Sequence, residues 1–399
     1  MCKKSAGGYQ LGRHNRIRQP RIGLVVGTRP ECLKLASVAK ALHAYGRRAA
    51  VLVNSGQHRA MVERSLTQLG LSADDSAAQC ESGSLSATLQ RLRGSIRDRL
   101  RDSGVTLLVA QGDTSTAYAT ALAARDLNLP LAHVEAGLRT NHPLRPFPEE
   151  HFRRRIARLA EFHFAPTASA ERNLLIEGIA PTRIHRVGQT SIDLLREAVL
   201  NPCAPSELPP LSPTRHLIVL TLHRRENYGR GLDTVCTAVR SLLDAREDVG
   251  VLCPVHPTPA VGSRIRQHLS APPRIALTEP LDFRPFVSLL ARATLAITDS
   301  GGIQEEAPYL GTPILIAREN TERPESIALG GANLVAVDAP SIVAAAQRLL
   351  DAPRPPKLPF DAQAPYGDGR AGIRIARHLI AFHETADAHE APGLIPQIA

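Results

Sequence analysis

Short apolar runs rich in β-branched residues recur along the chain, each closed by a turn and followed by a longer stretch with helical spacing. The first series covers residues 22–26, 50–54, 105–110, 131–134 and 162–165; a second covers 217–221, 249–254, 274–277, 295–298, 314–317 and 334–337. Strands alternating with helices are the rhythm of a parallel sheet. Two such series in tandem predict an α/β chain of two Rossmann-like, doubly wound parallel-sheet domains. In open sheets of this kind ligands bind at the carboxyl ends of the strands, so two facing sheets place a ligand in a central cleft between them.

The rest of the chain fits around that frame. Residues 1–20 form a basic tail, 21–188 with 370–399 the first domain, and 189–369 the second. The Pro-rich stretches 201–213 and 353–365 read as connectors or surface loops. A helical pattern over 371–383 has no strand after it and needs a surface to cover, so it is expected to pack back onto the first domain. Gly367-Asp368-Gly369-Arg370-Ala371-Gly372 spells a dinucleotide fingerprint, but it follows a Pro-rich loop rather than a strand and reads as a turn into that helix.

Composition narrows the function classes. The 399 residues carry a net charge of +10, yet only 4% are aromatic and none is Trp. Base stacking and sugar stacking both use large π faces, and the basic residues, such as Arg91, Arg93, Arg97, Arg99 and Arg101, are spread along helical stretches as a solvated face. No nucleic-acid partner is expected. Six cysteines show no CxxC spacing, no secretory segment precedes Gly23, and no apolar run reaches a membrane span. The reading is a cytoplasmic protein with reduced thiols and no membrane partner.

Candidate chemistry sits at the predicted strand ends. Ser300-Gly301-Gly302 joins a strand to a helix and offers free N–H groups to an anion; Glu305 and Glu306 follow within a helical turn, placed to hold a sugar hydroxyl. A nucleotide with a polyol attached is the ligand these features suggest. Gly27-Thr28-Arg29-Pro30-Glu31 makes a tight βα turn with Arg29 and Lys34 at the cleft. Asp113 is a strand-end carboxylate or the N-cap of the following helix. Glu135 is a poor cap and reads as functional, while Glu149 and Glu150 open a helix whose dipole they would complement. Clustered carboxylates suit acid/base work or a divalent metal. Their spacing with His matches no zinc pattern, so no metal and no cofactor is expected. His223 in His223-Arg224-Arg225-Glu226-Asn227-Tyr228-Gly229 suits a diphosphate; His256, between Val255 and Pro257, ranks below it.

Taken together these motifs resemble the non-hydrolysing UDP-N-acetylglucosamine 2-epimerase family, with its glycosyltransferase-B-like fold. The resemblance rests on GTRPECLK (27–34), QGDTSTA (111–117), HVEAGLRT (133–140), PFPEEHFRR (146–154), HRRENYG (223–229), DSGGIQEEAP (299–308) and TERPE (321–325). It implies that Asp113, Glu135 and Glu149 are catalytic carboxylates and that His223 contacts the diphosphate. It places Arg29, Lys34, Phe286, Ser300, Gly301, Gly302, Glu306 and Arg323 on UDP or substrate, with Glu306 on the uridine ribose. Gln57 and His58 fall in a region linked in some relatives to a second, allosteric UDP-sugar, with His256 a further secondary candidate. The family's reaction is anti elimination of UDP to 2-acetamidoglucal and syn return, and its habit implies a homodimer. A hydrolysing epimerase and a UDP-sugar glycosyltransferase of the same fold are the competing readings. The chain departs from the family pattern at Phe152, where an Asn is usual, and at Gly188-Gln189-Thr190.

Overall fold

A computed structural model describes residues 20–46, 49–80, 83–140, 142, 146–211, 213–223, 229–270 and 274–389. The expected basic tail up to residue 19, residues 390–399 and residues 224–228 of the HRRENYG motif lie outside this set. The first sheet contains β1 (Ile22–Val26), β2 (Ala50–Asn54), β3 (Asp75–Ser76), β4 (Leu107–Gln111), β5 (Leu131–Val134), β6 (Phe162–Ala165) and β7 (Ile184–Arg186). The second contains β8 (His216–Thr221), β9 (Val249–Pro254), β10 (Ile275–Thr278), β11 (Leu295–Thr298), β12 (Ile314–Ala317) and β13 (Ala332–Val335). Every pairing is parallel, in the orders β3-β2-β1-β4-β5-β6-β7 and β10-β9-β8-β11-β12-β13.

Two strands escape the hydrophobic pattern. β3 and β7 are two and three residues long and largely polar, and they form the edges of the first sheet. A strand expected over 334–337 instead starts at Ala332, because Ala332 pairs with Ile314 and brings Ala317 opposite Val335. The basic helix Leu85–Leu100 behaves as a solvated face. Arg93 pairs with Asp126 at 2.5 Å, Arg97 with Asp98 at 2.8 Å and Arg99 with Asp75 at 2.5 Å.

Each sheet is covered on both faces. On one face of the first sheet the helix Arg29–Tyr45 and the C-terminal helix Ala371–His389 share a core in which Leu35, Val38 and Leu42 meet Ile375, Ala376 and Leu379. The last helix thus buries its apolar stripe against the first sheet's core. Gly372 permits the approach, since a Cβ there would come within 2.6 Å of the Ser37 carbonyl carbon. The helix Thr190–Leu200 packs on both bodies, placing Ile192, Leu195 and Ala198 against Val287, Leu290 and Ala296 while its Asp193 accepts from the Ala371 and Gly372 N–H groups at 2.9 and 2.7 Å. Two glycines touch beside the start of this helix, Gly188 and Gly367. Both have positive φ, 92° each, and a Cβ on Gly367 would lie 3.0 Å from the Gly188 Cα. Among the described residues no helix is long and apolar enough to cross a membrane.

Candidate active site in the interdomain cleft

In each sheet the strand order reverses once, between β1 and β4 in the first and between β8 and β11 in the second. Ligands of doubly wound sheets collect at such points, and here the two face each other across a cleft of about 1900 Å³. The turn after β1 supplies Arg29, and those after β4 and β5 supply Asp113 and Glu135. From the other side β8 leads to His223, β9 to His256 and β11 to Ser300, Gly301 and Gly302. Glu149, Phe286, Glu306 and Arg323 also line the cleft, as do Lys34, Gln57 and His58. The candidate catalytic, substrate-binding and secondary residues therefore line one cavity, whereas Glu150 and Glu305 do not.

The carboxylates differ in their surroundings. Asp113 is not the cap of the helix Ser115–Asp126; Thr114 is, accepting from the Ala117 N–H at 3.0 Å. That leaves the Asp113 carboxylate to Arg153, whose Nε and Nη2 stand 2.8 and 2.7 Å from Oδ2. Glu150 is fully buried and ion-paired to Arg153 at 2.7 Å and Arg154 at 3.0 Å, whereas Glu149 is half-buried on the cleft wall. The helix-dipole account suits neither fully: Glu150 is held by arginines, and Glu149 is turned to the cavity.

Glu135 has φ of 65°, in the left-handed region that a side chain with a Cβ rarely enters. Such a backbone persists only where neighbours enforce it and clusters at functional sites. Four groups hold this carboxylate: Lys34 and Gln111 by short contacts, Gln189 at 3.0 Å and Arg323 at 3.2 Å. Lys34 and Arg323, expected at UDP from the motifs, thus place their cationic ends on carboxylates. Arg323 also reaches Glu305 at 2.6 Å and makes a short contact with Glu322. Burial would lower its pKa, but Glu305, Glu322 and Glu135 drive it well above the usual arginine value. Glu305 in turn, although burial pulls it up, is held below the usual carboxylate range by Arg323 and Lys34.

The second sheet's side is built to receive an anion. Ser300 occupies the N-cap position of the helix Gly301–Leu310 but makes no side-chain cap, so the first-turn N–H groups lack a protein partner from it. Gly301 is required sterically: a Cβ would lie 2.5 Å from Arg323 Nη1. His223 Nδ1 stands 2.9 Å from Asp299 Oδ1, and the same carboxylate accepts the His223 backbone N–H at 3.0 Å. Asp299 is fully buried, so it fixes the imidazole and leaves Nε2 as the ring's other hydrogen-bonding position. The His256 ring stacks 6.1 Å from that of His223, and its Nδ1 accepts from the Thr258 N–H at 3.2 Å. Burial and the neighbouring Glu305 carboxylate raise the pKa of Glu306 to about 8.

Several residues outside the candidate set prove structural to the site. Glu31 accepts from the Gly27 N–H and Thr28 Oγ1 at 2.9 Å each and from Thr114 Oγ1 at 2.6 Å, tying the Arg29 turn to the Asp113 turn. Gln57, itself a secondary-site candidate, ties its turn likewise, accepting from Thr116 N–H at 3.0 Å and Oγ1 at 2.8 Å. Gln189, next to that glycine contact, donates to both Glu135 and Glu305 at 3.0 and 2.9 Å. Phe152 is buried and stacks on Tyr118 with centroids 4.9 Å apart, and it also lines the cleft.

A family model for UDP-N-acetylglucosamine 2-epimerase matches residues 40–380. This chain belongs to that family. It is 38% identical to the UDP-N-acetylglucosamine 2-epimerase of Salmonella typhimurium over 90% of this chain and 98% of the relative, and 35% identical to that of Bacillus subtilis over 92% and 96%. Its fold superposes with a TM-score of 0.85 on the Neisseria meningitidis UDP-GlcNAc 2-epimerase bound to UDP-GlcNAc, at 32% identity over 90% of this chain and all of that one. The two parallel-sheet domains around a cleft are the glycosyltransferase-B-like arrangement expected from the motifs.

Proposed function

We propose that this epimerase interconverts UDP-N-acetylglucosamine and UDP-N-acetylmannosamine by eliminating UDP and returning it to the opposite stereochemical outcome at C2. The observation that carries the reading is one cleft with two chemically distinct walls: carboxylates Asp113, Glu135 and Glu149 on the first sheet, and His223 with the Gly301 and Gly302 amides on the second. The C2 proton is not acidified by a carbonyl. Its removal becomes feasible as the C1–O bond breaks, the electron pair leaving on the β-phosphate oxygen while C1=C2 forms. No electron leaves the substrate, so no redox partner is required.

In this scheme Asp113 and Glu149 are the acid/base pair flanking C2, one taking the proton and the other supplying one to the opposite face on return. Glu135 faces the positive charge that develops at C1. His223, oriented by Asp299, and the helix N-terminus at Gly301 hold the departed UDP within reach of the glycal, so that recombination is effectively unimolecular. Arg29, Phe286 and Glu306 complete the nucleotide site, with Lys34 and Arg323 acting through the carboxylates they hold. Gln57, His58 and His256, on the same cavity, are where a second UDP-sugar would act. The Neisseria relative's bound UDP-GlcNAc supports the ligand class. A homodimer is supported by the family habit, to be checked by analytical ultracentrifugation.

Turnover of UDP-N-acetylglucosamine in D₂O followed by NMR tests the reading. UDP-N-acetylmannosamine carrying deuterium at C2 is the expected product. Recovery of free N-acetylmannosamine as the main product, or a requirement for an added acceptor, would overturn it.

A further inference from the structure

At the cavity itself the two sheets' bodies meet in an inner cluster and an outer one. The inner cluster, about Glu135, Glu305 and Arg323, is buried. The outer one joins the helix Arg59–Gln68, which follows β2, to the segment leading out of β10. There Gln68 Nε2 donates to Asp282 Oδ1 at 2.6 Å, Arg64 Nη2 stands 4.0 Å from the same oxygen, and Arg29 Nη2 donates to the Leu281 carbonyl at 2.7 Å. Gln68 and Arg64 are exposed and the Asp282 side chain is 47% exposed, so this rim faces solvent.

Asp282 occupies the N-cap position of the helix Phe283–Arg292 yet makes no side-chain cap. Asp is among the best capping residues, and here its carboxylate reaches across the gap instead. One turn further along the same helix, Phe286 enters the cleft. A contact at Asp282 therefore fixes the element that carries a nucleotide-site residue against the first sheet's body.

The reaction proposed above passes through two fragments with no bond between them. While they exist, only enclosure separates epimerisation from loss of UDP and 2-acetamidoglucal. The inner cluster joins the bodies with buried ion pairs, whereas the outer rim joins them at solvent. We propose that the Gln68–Asp282 hydrogen bond, backed by Arg64, is a retaining latch that sets the partition of the intermediate between recombination and escape. These are positioning residues: they act on the cleft's closure and take no part in proton transfer. A single hydrogen bond to a carboxylate biases closed over open by roughly ten-fold, strong enough to favour return and weak enough to open for product release. The latch rests on the epimerase reading.

The test compares wild type, Asp282→Ala, Gln68→Ala and the double variant on UDP-N-acetylglucosamine, with ¹H and ³¹P NMR measuring released UDP and 2-acetamidoglucal against UDP-N-acetylmannosamine. The ratio of released to epimerised product should rise about ten-fold in Gln68→Ala, at least as far in Asp282→Ala, which also removes the Arg64 contact, and no further in the double than in Asp282→Ala, because the second change has no bond left to break. A general structural defect would slow turnover and leave the ratio alone; that outcome, or multiplicative effects in the double variant, overturns the latch. A wild type that epimerises with variants indistinguishable from it removes the latch only. A wild type that forms no UDP-N-acetylmannosamine removes the epimerase reading and the latch with it.

Discussion

Arg153 lays its guanidinium on Asp113, with Nε at 2.8 Å and Nη2 at 2.7 Å from Oδ2, while its Nη1 holds the buried Glu150 at 2.7 Å. One side chain thus fixes the candidate base and anchors the helix that presents Glu149. Arg153→Ala should lower kcat by about a hundred-fold through the misplaced base. It should also destabilise the fold by roughly 3–5 kcal/mol, because breaking a buried pair leaves charge uncompensated. Arg153→Lys restores the charge without the fork, so thermal stability should recover further than kcat. Equal recovery of both would argue against a geometric role at Asp113.

Asp113→Asn and Glu149→Gln keep the shape of the cleft and remove the proton acceptors. Turnover should fall by about 10²–10⁴, with UDP affinity by calorimetry close to that of wild type. Wash-in of solvent deuterium at C2 should vanish with turnover. Wild-type-like kcat in either variant would refute its acid/base role.

Arg323 compensates Glu135, Glu305 and Glu322 at once. Arg323→Ala leaves three buried carboxylates short of their shared cation, and the expected loss is at least the roughly 3–5 kcal/mol of a broken buried pair. From its motif alone this residue reads as a UDP ligand; from its contacts, stability should suffer more than UDP affinity. Chemical denaturation beside UDP calorimetry separates the two.

Gly301→Ala probes the same contact from the other side. The new Cβ would lie 2.5 Å from Arg323 Nη1 and 2.6 Å from its Cζ, so the guanidinium must shift or the helix start must move. Either change disturbs the amides offered to the diphosphate. UDP affinity should drop by about ten-fold, on the scale of one lost charge-assisted hydrogen bond, while Gly302→Ala, whose Cβ would stand 3.5 Å from Glu306 Oε1, should be milder.

The strand rhythm and the strand-end motifs made both sheets and most of the cleft legible before any coordinates. β3 and β7 stayed hidden because edge strands of two and three residues need little apolar surface. Patterning could not separate Glu149 from Glu150, since one helical step divides a residue facing arginines from one facing the cavity; only the motif resemblance pointed to Glu149. Glu31, Arg153 and Gln189 matter through partners 83, 40 and 116 positions away, and only folding brings those together. Asp299 offered a usable signal: a carboxylate at the end of a strand, directly before Ser300-Gly301-Gly302, faces the neighbouring strand end, where β8 delivers His223.

Glu306 gives the site a pH dependence with a definite sign. Burial, reinforced by Glu305, raises its pKa from 4.5 to about 8. Between these values the folded chain keeps a proton that the unfolded chain has released, so stability contributed by this group is full below 4.5 and is lost as pH rises towards 8. Glu306→Gln cannot ionise. Its Tm relative to wild type should climb through that window and level off above it; taking the difference cancels His133 and His163, whose burial-lowered pKa values of about 4 and about 3 act in the opposite sense. UDP binding follows the same proton. Neutral Glu306 can both donate to and accept from a ribose hydroxyl, whereas the ionised form adds negative charge to a cleft that must hold a diphosphate. Wild-type Kd for UDP should therefore weaken between pH 6.5 and 9 while that of Glu306→Gln changes less. Parallel pH profiles for the two proteins would show that this carboxyl does not titrate against the nucleotide.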